Sequence, residues 1–312
     1  MGLTELQVTS GYSLLQSTIQ IKPLVEKAKE LGYEHLALTD HSVLHGAISF
    51  FQECKKHRIH PIIGMTIHIT FEDTKMKVIG LAKNFKGYQH LLAMSTAIQH
   101  HGSISWEDWQ KGKENLHTIL PVEKEITRGN ELTTLLDRLL ENDTSFKIGI
   151  PTSYQDKSSL IALCNEKGIM PVYVSDVRYL EEQDKLPLQS LRAIANDTIL
   201  DYNQDEIEGS KLLTSSEVLA AWERYPDVVE NTIQLAESCQ LEIPLKQQLL
   251  PKYPVPSSET ADSYLERICR SKLIEKYPER TMEAEARLNF ELQVIQSMKF
   301  SDYFLIVWDF VK

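Results

Sequence analysis

What the chain lacks narrows its identity first. No apolar run approaches the ~20 residues that a membrane-spanning helix needs. The opening stretch, MGLTELQVTS, has neither the basic nor the apolar region of a secretory signal, and Leu6 stands where a myristoylation signal requires Ser or Thr. The four cysteines, Cys54, Cys164, Cys239 and Cys269, form no C-x-x-C pair and read as reduced, partly buried thiols of a cytoplasmic protein. Positive charge is also short. With 33 Lys and Arg against 44 Asp and Glu, the net charge is -11, and phosphate backbones repel such a surface. This stretch is therefore not expected to form a main nucleic-acid face.

Several catalytic signatures are missing too. There is no G-x-x-x-x-G-K-[ST] or G-x-G-x-x-G phosphate loop, no G-x-S-x-G elbow and no Asp-x-Asp pair for two-metal nucleotidyl transfer.

What is present is an alternation. Its 312 residues suggest about two domains. Short β-like runs at 5–9, 35–39, 61–70 (with Gly64 as a candidate break), 77–82, 117–120, 147–150 and 170–175 are separated by amphipathic helical patterns at 22–31, 47–57, 87–98, 131–141 and 158–167. Strands that alternate with helices imply parallel pairing and βαβ crossovers. About seven such units predict an α/β fold, a closed or nearly closed barrel, with an open doubly wound sheet as the rival. From Leu186 the pattern turns helical. Thr214-Ser215-Ser216-Glu217 reads as a capping box, 227–239 continues as a helix, and the proline-rich LPKYPVPSSET connector from Leu250 precedes two further helices, 261–276 and 283–298. On the last of these, Leu288, Leu292 and Ile295 share a face. The chain stops in the apolar run FSDYFLIVWDFVK, an ending expected of a piece of a longer protein.

In a barrel, chemistry sits at the C-terminal ends of the strands. Asp40 and His41 in LALTDHSVLHGA, and Asp176 in VSDVRYL, stand at such places and are the candidate metal ligands. Gln7, Thr9, Gln16, Thr66 and Arg178 occupy neighbouring places that could have held ligands. Arg178, two residues from Asp176, competes with any ion for that carboxylate. The tally falls short of the roughly six to nine ligands that a two- or three-metal phosphoesterase needs. In the plainer reading, Asp40 caps the N–H groups of the turn that follows it and His41 bonds locally. The remaining histidines carry less: His57 and His60 near a helix end, His100 and His101 in a candidate loop with Gly102, and His45, His68 and His90 alone.

The stretches LQVTSGYSLL, ALTDHSVLHGAISF, PIIGMTI, VSDVRYL, LPKYPVPSSETADSYLERIC and FSDYFLIVWDF together resemble the N-terminal part of bacterial DNA polymerase III alpha subunits, closest to the shorter form of Bacillus-like bacteria. The resemblance is collinear through nearly the whole chain. It implies a PHP domain, a distorted (βα)7-like barrel, over 1–200, a helical extension packed on it over 201–250, and a connector and the start of the polymerase palm over 251–312. It implies further that the full-length protein is a DNA-directed DNA polymerase. That protein would bind primed DNA, deoxynucleoside triphosphates and the sliding clamp, and hold Mg on palm aspartates beyond Lys312. Family members that keep the PHP metal site have His-x-His where Gln7 and Thr9 stand and a carboxylate near Gln16. They also have an acidic residue at or beside Thr66 and Asp-x-His where Asp176 and Arg178 stand. Asp40 and His41 keep the family motif. The implied domain is a degenerate scaffold without metal or other cofactor, inactive on its own. The alternatives are a metal-dependent phosphoesterase or 3′–5′ exonuclease that uses Asp40, His41 and Asp176, and a module whose old cleft binds a nucleotide or peptide.

Overall fold

The computed structural model describes residues 2–72, 74–122, 131–200, 210–245, 251–279 and 282–312. Ten strands are formed: β1 Leu3–Glu5, β2 Tyr33–Leu38, β3 His60–Phe71, β4 Thr74–Ala82, β5 Ile104–Ser105, β6 Leu116–Pro121, β7 Lys147–Pro151, β8 Pro171–Val174, β9 Val177–Tyr179 and β10 Ser210–Lys211. The helices are α1 Ile21–Glu30, α2 Ala47–His57, α3 Phe85–His101, α4 Trp106–Gln110, α5 Glu131–Asn142, α6 Lys157–Lys167, α7 Lys185–Ala195, α8 Ser215–Trp222, α9 Pro226–Glu237, α10 Ala261–Lys276, α11 Met282–Ser297 and α12 Ser301–Val311. They fall into two compact units, 1–243 and 244–312.

The main sheet runs β1-β2-β3-β4-β6-β7-β8, with β5 added beside β3. β9 follows β8 directly. Val177 N donates to Gln7 O and Thr9 N to Val177 O, both at 2.9 Å. These bonds bring the sheet back to its first strand and nearly close a barrel. The expected strand over 5–9 thus meets the regular strand, Leu3–Glu5, only at Glu5. Its second half, buried throughout, serves as the seam.

Parallel pairing holds for β1/β2, β2/β3, β6/β7 and β7/β8, but β3/β4 and β4/β6 are antiparallel. A parallel crossover needs about a dozen residues, and the turn between Phe71 and Thr74 leaves no room for one. Gly64 does not break β3. A Cβ there would lie 2.6 Å from Gly80 O, so glycine lets the two strands approach closely.

The barrel core holds Leu6, Ala37, Ile62, Ile79, Leu81, Ile119, Val172 and Val174, and Leu235, Ala236 and Cys239 from the end of α9 join it. Helix ends follow local chemistry. Asn84 accepts from Gly87 N at 3.1 Å to start α3, and Gly102, at φ 78°, ends it. His100 and His101 therefore belong to the last turn of α3 and not to a loop. Thr214 and Glu217 form the expected capping box on α8. The second unit packs α10, α11 and α12 around Leu265, Leu292 and Leu305, with Leu288 and Ile295 beside them, and Tyr253 N donates to Asp302 at 2.8 Å. Residues 201–209 and 246–250 of the expected extension, Leu250 included, lie outside the described residues.

Candidate functional site

The mouth of the barrel gathers the sequence-predicted residues on two sides. On the first, the chain leaves β1 through Gln7, Thr9 and Ser10 and leaves β2 at Asp40. Asp40 Oδ1 accepts from Ser10 N at 2.8 Å and from the Ser13 hydroxyl at 2.7 Å, and Oδ2 accepts from the Ser10 hydroxyl at 2.8 Å. Asp40 thus caps the loop that precedes it in the chain, and not the turn that follows as expected. Burial pushes its carboxyl above the usual value, and the Ser13 and Ser10 donors only partly offset that. His41 N donates to Ser13 Oγ at 2.9 Å, and His41 pairs with Thr66 across an isolated bridge. Its ring does not bond locally: Nε2 is buried without a hydrogen-bond partner, as are Thr9 Oγ1 and Thr66 Oγ1. Burial, and then the Arg178 charge, hold the imidazole neutral, with its pKa lowered to about 3.

The other side is the corner between β8 and β9. Arg178 Nε and Nη2 each lie 3.1 Å from a carboxylate oxygen of Asp176, a bidentate fork. The Arg178 side chain is 1% exposed, and that of Asp176 22%. Nη1 approaches Gln16 O and Oε1 at 3.4 Å, and Arg178 O accepts from Ser17 Oγ and Thr18 N, at 2.8 and 3.1 Å. Burial alone would raise Asp176, but the charges of Arg178 and Lys77 and the fork itself outweigh it, and its carboxyl is held below the usual value. Asp176 has φ 45°, a left-handed conformation that Asp tolerates better than most residues.

The structure thus brings Gln7, Thr9, Gln16, Asp40, His41, Thr66, Asp176 and Arg178 to one mouth. Sequence reasoning missed two residues. Lys77, on β4 opposite His68 of β3, acts on both Asp176 and His41. Glu5 is fully buried at the end of β1. A carboxylate among the alternating apolar and polar residues of LTELQVT was its one visible signal.

Of the other histidines, His60 opens β3 and its Nε2 lies 2.6 Å from Cys239 O, while His45 faces the Tyr12 ring. Among the described residues, the one group of three ligand-type atoms that converges within 4.8 Å is Glu26 on α1 with Glu53 and His57 on α2; Asp40, His41 and Asp176 form no such group. Lys56 Nζ and His57 Nε2 already engage one oxygen of Glu53, at 2.8 and 3.1 Å. Cys54, Cys164 and Cys239 are buried and Cys269 is partly so; all four are free. Burial pushes the Cys164 and Cys239 thiols up to about 12. Among the described residues, no helix is long and apolar enough to cross a membrane.

Two family models match this chain. The PHP domain matches residues 5–137, and the bacterial DNA polymerase III alpha NTPase domain matches residues 263–312. The DNA polymerase III subunit alpha of Bacillus subtilis is 34% identical over all of this chain and 30% of its own length, and that of Halalkalibacterium halodurans is 33% identical over the same shares. A crystal structure of an inferred metal-dependent phosphoesterase from Bifidobacterium adolescentis aligns with 71% of this chain and 96% of its own, at 12% identity and TM-score 0.44. The chain spans about 30% of the length of the curated relatives it matches. Those relatives match it from end to end, and they share one name: the chain belongs to the family of bacterial DNA polymerase III alpha subunits.

Proposed function

We propose that the barrel is a metal-free scaffold within a replicative DNA polymerase. In this reading the whole protein extends a primer on DNA by nucleotidyl transfer from deoxynucleoside triphosphates, with the sliding clamp as a partner and Mg held by aspartates beyond Lys312. The stretch described here does not polymerise by itself.

The observation that supports the scaffold reading is the Arg178 fork on Asp176. A divalent ion needs carboxylate lone pairs free of competing cations. Here both oxygens of Asp176 face a guanidinium, and Lys77 adds a second positive charge nearby. Asp40 already accepts from three donors, and Gln7, Thr9, Gln16 and Thr66 offer only amides and hydroxyls. These residues do not fit a catalytic ion cluster.

Elemental analysis of protein purified without chelator tests this reading. Well under one zinc, iron or manganese per chain is expected, with an unchanged melting temperature in EDTA or in excess Mn. About one ion per chain, lost in Asp40→Asn together with hydrolysis of a generic phosphate ester, would establish the phosphoesterase or exonuclease reading in its place.

A further inference from the structure

The barrel is held shut by a carboxylate that water does not reach. Glu5 is 0% exposed. Its Oε1 accepts from Leu6 N and Gln7 N at 3.0 Å and from Ser175 N at 3.2 Å. Leu6 and Gln7 lead from β1 into the seam, and Ser175 ends the β8 side of it. One oxygen thus ties the two edges of the sheet together. The second oxygen, Oε2, is buried without a hydrogen-bond partner. An ionised carboxylate with a dry, unpaired oxygen costs more than the neutral acid in the same place.

We propose that Glu5 is a proton-operated clasp on the barrel seam: the neutral acid holds β1 against the end of β8, and ionisation loosens that join. Among the described residues, no cation is found acting on the Glu5 carboxyl. The titratable groups that face Glu5 are Tyr33 of β2 and Tyr173 of β8, and burial drives both phenols above their usual range, so both stay neutral. Burial pushes Glu5 up to about 7, against the opposing pull of the Ser175 side chain and of the Gln7, Ser175 and Leu6 amides. The sign follows. A carboxyl with a raised folded value favours the closed seam below its unfolded value of 4.5, and loses that contribution as pH rises through about 7.

Amide hydrogen exchange on this chain tests the clasp, read at the Thr9 and Val177 amides that bond across the seam and corrected for intrinsic base catalysis. Protection at these two amides is expected to fall about tenfold between pH 6 and pH 8, while Glu5→Gln gives a flat profile. Equal pH dependence in the wild type and in Glu5→Gln would overturn the proposal. Carbon-13 titration of the wild-type Glu5 carboxyl gives an answer even if that variant does not fold. A midpoint near neutrality is expected, and one in the ordinary glutamate range would sink the clasp.

Discussion

The two aspartates at the barrel mouth are in opposite electrostatic situations. Asp40 is surrounded by hydroxyls and one amide, with burial the dominant influence, and its carboxyl is raised. Asp176 is met by a guanidinium fork and by Lys77, and its carboxyl is lowered. Neutral donors can satisfy the geometry of a buried carboxylate without offsetting its desolvation, whereas a fixed cation does both. The Asp40 side thus relies on neutral hydrogen-bond donors, and the Asp176 side on a counter-ion.

The largest test of that contrast removes the cation. Arg178→Met removes the fork and leaves Lys77 as the remaining cation acting on Asp176; it is expected to destabilise the fold by about 3 kcal/mol, the low end for a broken buried pair because Asp176 keeps some exposure. Adding Asp176→Asn to it should recover at least half of that loss in urea unfolding. No recovery would mean that Arg178 acts through packing alone and not through charge.

A smaller effect is expected on the other side. Ser13→Ala removes one donor to Asp40 and the acceptor of His41 N, and it should cost about 1–2 kcal/mol. Because no cation is involved, this loss should change little between low and high salt, unlike that of Arg178→Met.

The smallest effect is the pH slope. Asp176, with its folded value below the usual 3.8, adds stability above that pH, and this is lost as pH falls through the folded value. Asp40, with its folded value above 3.8, adds stability below that pH, and this is lost as pH rises through the folded value. The two slopes have opposite signs and lie on either side of pH 3.8: stability rises with pH below it through Asp176 and falls with pH above it through Asp40. Asp40→Asn should remove the fall above pH 3.8, and Asp176→Asn should remove the rise below it. If both variants shift in the same direction, the contrast fails.

Much of this molecule was legible in its sequence. The apolar spacing marked α2 and α10 at the bounds the structure gives, and Thr214 with Glu217 marked the start of α8. Asp40, His41, Asp176 and Arg178 were found because strand ends can be read from where apolar runs stop. Strand direction was not legible from periodicity, which is the same in parallel and antiparallel strands. The signal for it was length: six residues between the two apolar runs around 70 and 77 cannot hold a helix. The partners of Asp40 were missed because they precede it by 27 and 30 residues and meet it only when β1 lies beside β2. Glu5 was missed because its function depends on Ser175, which is distant in the chain and adjacent only at the seam.

The antiparallel course of β4 changes which of its residues stand at the cleft. Forward strands present their last residues to the cleft, so a search for functional groups looks downstream of each apolar run. A strand laid the opposite way presents its opening residues there and buries its tail at the far rim. Lys77, three residues after Thr74, reaches Asp176 and His41 for that reason.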